Sequence, residues 1–172
     1  MEKTDVLIGY VSNSEPINSI LRKGLYIPEI DILDGLFTKG EVPHFLYRLL
    51  PNDNIIIDEN GTIIDSAYLS CSGNFDDFID NVGPTKHLAC LRIESVSPIE
   101  RINVRELLPD FNDEGEIILS RNLVLNVIGI DNYDGIDQFE VFLKKVDCDS
   151  TSPLELYKVM GIEKITLYSL KV

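Results

Sequence analysis

The spacing of apolar residues divides the chain into a helical front and a strand-rich remainder. Asp5 to Val11 is a short apolar run that fits either a strand or a helix. Pro16, after Ser14-Glu15, suits a first helical position and predicts a helix through about Lys23, with Gly24 ending it. Ile30, Leu33, Leu36 and Phe37 recur at helical spacing over Glu29 to Lys39, and Gly40 stops that segment. From Val42 the pattern shortens to strand-like runs. Asp58-Glu59-Asn60-Gly61 is a turn signal between Ile55-Ile56-Ile57 and Thr62-Ile63-Ile64. A short helix is expected over Asn74 to Asn81, and strands near 87–94, 115–120, 122–130, 138–146 and 164–171. Helices first and strands after predict an α+β domain. No repeat, low-complexity tract or linker divides the chain, so residues 1–172 read as a single domain.

Composition narrows the function classes. The chain has 172 residues, 44% of them hydrophobic and 26% charged, which suits a globular domain with a core of its own. Lys plus Arg number 15 and Asp plus Glu 29, a net charge of −14. That balance argues against broad contact with nucleic acid, which depends on basic patches. Cys71, Cys90 and Cys148 are odd in number and lack a C-x-x-C spacing, so they read as reduced thiols. His44 and His87 stand far apart, and no metal site is expected. No apolar h-region and no membrane span is found in the sequence, so the protein is expected to be cytoplasmic as made.

The segment Asp113-Glu114-Gly115-Glu116-Ile117-Ile118-Leu119-Ser120-Arg121 carries the candidate chemistry. If it is a strand throughout, Glu114 and Glu116 point the same way. Two converging carboxylates suit chemistry at a sugar carbon: one stabilises a developing cation and the other serves the acceptor. The plainer alternative is an acidic strand end facing water.

Further residues join this pair in order. Tyr47-Arg48 closes an apolar run, and Asp65-Ser66-Ala67-Tyr68-Leu69-Ser70-Cys71-Ser72 holds an S-x-S element. Ile17-Asn18-Ser19-Ile20-Leu21-Arg22, Leu91-Arg92-Ile93 and Phe111 stand at consistent places around them. An arginine, then S-x-S, then E-x-E resembles the arginine–serine–glutamate class of mono-ADP-ribosyltransferases, which includes the catalytic domains of binary actin-modifying toxins and many bacterial effectors. The resemblance runs over roughly residues 10 to 130.

The resemblance implies a small β-sandwich around a central NAD cleft, with N-terminal helices packed on one side. It implies transfer of ADP-ribose from NAD, with release of nicotinamide, to an arginine of a target protein. By resemblance Glu116 is the catalytic carboxylate and Glu114 the acceptor-side group. Arg48 contacts the NAD phosphates, and Arg92 is a second phosphate contact. On an alternating strand Arg92 faces away from Leu91 and Ile93, which fits a cleft-facing or a solvent-facing arginine equally. Ser70 orients Glu116 and supports the nicotinamide ribose. Asn18 meets the adenosine side, where a structural helix asparagine is the alternative. Phe78 (or Phe75) covers the nicotinamide, with core packing the alternative, and Phe111 with Glu114 selects the target. NAD is then a co-substrate and no metal is required. An effector of this kind implies a cognate immunity or delivery protein and separate machinery that carries it into a target cell.

The chain departs from the family pattern at three places. Cys71 replaces the usual central Thr of the triplet, and its side chain is expected to face the core. Leu49 stands where a Gly or a second Arg is common, and Ser14 where a cleft-lining Tyr is common. Three other readings stay open: an NAD glycohydrolase on the same scaffold, a catalytically inactive relative that binds a protein, and transfer to a nucleic acid. Retention of all three site elements favours an enzyme, and the charge disfavours the last.

Overall fold

The computed structural model of the chain describes residues 2–52, 54–76, 82–111, 115–148 and 161–172. Three helices open it: α1 (Lys3–Ser12), α2 (Glu15–Arg22) and α3 (Pro28–Asp34). Strands β1 (Thr38–Gly40), β2 (Phe45–Leu50), β3 (Thr62–Ile64), β4 (Leu69–Ser72), β5 (His87–Glu94) and β6 (Ile99–Asn103) follow. After a single helical turn, α4 (Val104–Leu107), come β7 (Glu116–Leu119), β8 (Val124–Asp134), helix α5 (Ile136–Lys145) and β9 (Lys164–Lys171). The α+β expectation holds, with a curled sheet and helices against it.

The strands hydrogen-bond in the order β1-β6-β7-β4-β2-β5-β9-β8-β3. The sheet curls so that its two halves face each other. Leu46, Ala89, Leu91, Ile93 and Leu170 from one half meet Cys71, Ile117 and Leu119 from the other in a shared inner core. Alternation along each strand then sends the intervening residues outward. The outward face of β4, β6 and β7 is covered by α1–α3, through Leu7, Tyr10, Leu21, Ile30 and Leu33 against Tyr68, Ile102 and Ile118. The outward face of β2, β5 and β9 is covered by α5, through Phe139, Phe142 and Leu143 against Tyr47, Leu49, Cys90 and Leu167. The N-terminal helices therefore pack on one outer face, as expected, and α5 covers the other.

Several sequence expectations are corrected. The ambiguous run at Asp5–Val11 is helix α1. The helix expected to Lys39 ends at Asp34; Leu36 and Phe37 still pack on the helical core from a turn, and Thr38–Gly40 pair with β6 as an edge strand. Ile55-Ile56-Ile57 forms no strand, and β3 pairs with β8 instead. The strand expected at 138–146 is α5. Phe139, Phe142, Leu143 and Val146, at i, i+3, i+4 and i+7, all turn to the core, which only a helix permits. The expected helix at Asn74–Asn81 lies mostly outside the described residues. Among the described residues no helix is long and apolar enough to cross a membrane.

Candidate active site

A single Cα pair, Tyr47 with Ser72, joins β2 to β4. Beyond it the two strands part, because β2 stays with β5 while β4 follows β7. The opening holds a cavity of about 100 Å³. Arg48 and Leu50 line one bank, Leu69 and Ser70 the other, with Leu91 and Leu125 at the back and Ser14, Asn18 and Arg22 of the helical layer above.

Register places the reactive groups. Ser72 lies opposite Glu116 across β4 and β7, so Ser70 projects from the same face two residues along. The Ser70 hydroxyl donates to Glu116 Oε1. Glu116 is buried and stands behind Ser70, on the face covered by α1–α3. Cys71, on the opposite side of β4, is enclosed by the inner core, and burial pushes its thiol up to about 12. Its expected inward orientation is what the strand shows.

Helices α1 and α2 supply the roof. The Asn18 Nδ2 donates to the Tyr10 hydroxyl oxygen at 3.2 Å, and the Tyr10 hydroxyl lies 3.4 Å from Asn18 Oδ1. Burial raises the Tyr10 pKa to about 12; the Asn18 contact and the Arg48 charge oppose the rise, and the Glu116 charge adds to it. Arg22, four residues past Asn18, lies on the same helix face. It pairs with Asp65: Nε to Oδ1 at 3.2 Å and Nη2 to Oδ2 at 2.9 Å. A second strut fixes α3. Tyr68 donates to Asp34 Oδ1 at 2.6 Å, and Arg121 donates from Nε and Nη2 to Asp34 Oδ2 at 3.1 and 2.9 Å.

Among the expected site residues, Arg48, Asn18, Ser70 and Glu116 are thus brought to one region. Arg92 is not, and this is a correction. Leu91 lines the cavity, so its neighbour Arg92 faces the α5 side, where its guanidinium lies 3.8 Å from the Phe45 ring centre. Its Nε is buried without a hydrogen bond. Phe75 is wholly buried in the core under α5, the packing role its sequence position also allowed. Phe111 is 45% exposed in the loop between α4 and β7. Phe78 and Glu114 lie outside the described residues. Strand β7 begins at Glu116, and Gly115 before it has φ of +64°, a backbone conformation that suits glycine. Ser14 lines the cavity where the cleft tyrosine of the family was expected.

Sequence reasoning missed Tyr10, Arg22 and Asp65. Arg22 was within reach, since i and i+4 share a helix face with Asn18. Tyr10 was hidden by the unresolved choice between strand and helix for its segment. Asp65 carries no sequence signal, being 43 residues from its partner.

Neither a protein-family model nor a curated protein matches the sequence. Solved structures do match. The chain superposes on Plx2a, an ADP-ribosyltransferase toxin from Paenibacillus larvae, with a TM-score of 0.63 at 15% identity, over 99% of this chain and 85% of that one. The Salmonella SpvB ATR domain gives 0.63 at 18% identity, over 99% and 98%. Exoenzyme S from Pseudomonas aeruginosa, in complex with human 14-3-3 protein beta and bound to carba-NAD, gives 0.61 at 13% identity, over 98% and 72%. The chain has the fold of the bacterial ADP-ribosyltransferase toxins.

Proposed function

We propose that this protein is an NAD-dependent mono-ADP-ribosyltransferase of the toxin or effector type, acting on an arginine of a target protein. The hydrogen bond from Ser70 to the buried Glu116, beside the opening that Arg48 lines, carries this reading. A surface carboxylate has no need of such a partner. A carboxylate that must meet one ribose hydroxyl in one orientation does, because a fixed group aimed at developing charge spends no reorganisation during the reaction.

The residues divide the work. Arg48 and Arg22 offer rigid, permanently charged forks for the NAD diphosphate. Asn18 offers an amide to the adenosine side. Glu116, oriented by Ser70, binds the ribose 2′-hydroxyl and stabilises the oxocarbenium-like transition state as the nicotinamide–ribose bond breaks and its electron pair leaves with nicotinamide. The acceptor guanidinium nitrogen then bonds to the anomeric carbon, and Glu114 takes its proton. Phe111, exposed before β7, is assigned to contact with the target protein, which its exposure supports.

Nicotinamide release from NAD, by wild type and Glu116→Gln, with and without agmatine, tests this. Release by wild type that rises with agmatine, and falls about 10²- to 10³-fold in the variant, is expected. Release that ignores agmatine points to a glycohydrolase or another acceptor. No release from either protein sinks the enzymatic reading.

A further inference from the structure

The two arginines of the opening are in different states. Among the described residues, no side chain pairs with the Arg48 guanidinium, which faces the cavity. Arg22 is capped. Asp65 takes both of its forward-facing nitrogens, Nε and Nη2, which is the two-point grip a phosphate would use. Both partners line the cavity, one from α2 and one from the connection between β3 and β4. Asp65 is itself held in place. Its Oδ1 also accepts from the Ala67 backbone N–H at 3.0 Å, and its carbonyl accepts from the Asn122 N–H at 2.9 Å. The pair is about half open to solvent, with side-chain exposures of 48% and 37%, so it can exchange partners.

We infer that Asp65 is a built-in competitor for the phosphate-binding Arg22, an internal carboxylate that a bound diphosphate must displace. This rests on the proposed NAD reading for its biological meaning, but not for its test. Displacement has two costs. The Arg22–Asp65 contact is lost, and the Asp65 carboxylate remains near the incoming phosphates. Asp65 therefore holds affinity down, and holds the unliganded opening latched between the helical layer and the sheet. Its role is to set ligand affinity, not to assist the chemical step.

Asp65→Asn keeps the acceptor for Ala67 and removes the charge. Asp65→Ser serves as a second variant that can also bond the following backbone. The readout is the dissociation constant, by calorimetry at fixed ionic strength, for inorganic pyrophosphate and for NAD. Each variant is expected to bind both ligands about three- to tenfold more tightly than wild type. In an Arg22→Gln background the same change at Asp65 is expected to gain less than about twofold, since the competition has no object. Equal or weaker binding by both variants overturns the inference, as would a gain of the same size without Arg22, which would make Asp65 a background charge only. Absence of saturable pyrophosphate binding in every protein also overturns it. A wild type that releases no nicotinamide, yet shows the expected pyrophosphate pattern, refutes the transferase and leaves Asp65 as the competitor.

Discussion

The sheet's two outward faces are covered in opposite ways. Under α5 the contact is apolar and aromatic: Phe75, Phe139, Phe142 and Tyr133 interlock, with Phe75 and Phe142 centroids 5.4 Å apart. Under α1–α3 the apolar contacts are interrupted by Tyr10 with Asn18, Tyr68 with Asp34 and Arg121, and Ser70 with Glu116. The α5 face is closed mainly by apolar packing, with Arg92 laid over the Phe45 ring as its charged member. Buried polar pairs stabilise less than well-packed apolar ones of the same size. The helical roof therefore carries them for position, holding groups at the opening where β2 and β4 part, and the α5 face supplies rigidity.

This division can be broken at its strongest point. Phe142 is fully buried, and Phe142→Ala is expected to lower unfolding free energy by about 3–5 kcal/mol in urea. Nicotinamide release per folded molecule should stay at the wild-type level. A large fall in turnover at full folding would show that the α5 face shapes the site. The two arginines on neighbouring strands sharpen the contrast. Arg48→Gln should lower nicotinamide release about 10²-fold with little change in stability. Arg92→Gln should leave turnover near wild type and cost about 1–2 kcal/mol, since it loses its place over Phe45. The reverse pattern would assign the phosphate contact to the wrong face of the sheet.

Strand parity is what made much of the site legible. Ser70 with Glu116 and the inward Cys71 follow from period-two alternation once β4 and β7 are identified. Parity alone left Arg92 undecided, because alternation says that two residues face apart and not which face carries the cleft. The curl of the sheet decides that, and it is a long-range property. Helix α5 was misread although Phe139, Phe142, Leu143 and Val146 have helical spacing, because its aromatic and β-branched residues suit strands. Strand β6 was missed because Arg101 turns inward, 5% exposed, to reach Glu106 and the Glu41 carbonyl, which spoils the apolar alternation of Ile99 to Asn103. The Arg22–Asp65 pair exists only after folding brings α2 to the β3–β4 connection.

The polar roof should also show itself in alkali. Tyr10 is held neutral by burial, with its pKa raised from 10.0 to about 12. A group whose folded pKa lies above the unfolded value contributes stability fully below about pH 10 and loses it as pH climbs toward 12. Between pH 9 and pH 11.5, wild type should therefore lose about 2 kcal/mol through this residue. Tyr47, Tyr68 and Tyr133, also raised chiefly by burial, add to the total fall and are common to both proteins. Urea unfolding across that range should give Tyr10→Phe a shallower decline. Parallel declines would mean that Tyr10 ionises in the fold without penalty.

The smallest effect separates position from chemistry most cleanly. Tyr68 stacks on Phe37 at 5.8 Å and meets Tyr10 edge-on at 5.6 Å, while its hydroxyl reaches Asp34 and the Ile30 carbonyl. Tyr68→Phe keeps both ring contacts and removes only the hydroxyl. Asp34 retains Arg121 on its other oxygen, so the loss should be about 1 kcal/mol. Tyr68 also lines the cavity, between the residues of the roof and Ser70. If the Tyr68–Asp34 bond sets how α3 seats the roof, the variant should raise KM for NAD about twofold and leave kcat alone, the mark of weakened uniform binding. A fall in kcat with KM unchanged would instead place the Tyr68 hydroxyl among the groups that act only in the transition state, and the roof would then take part in the reaction it was taken to frame.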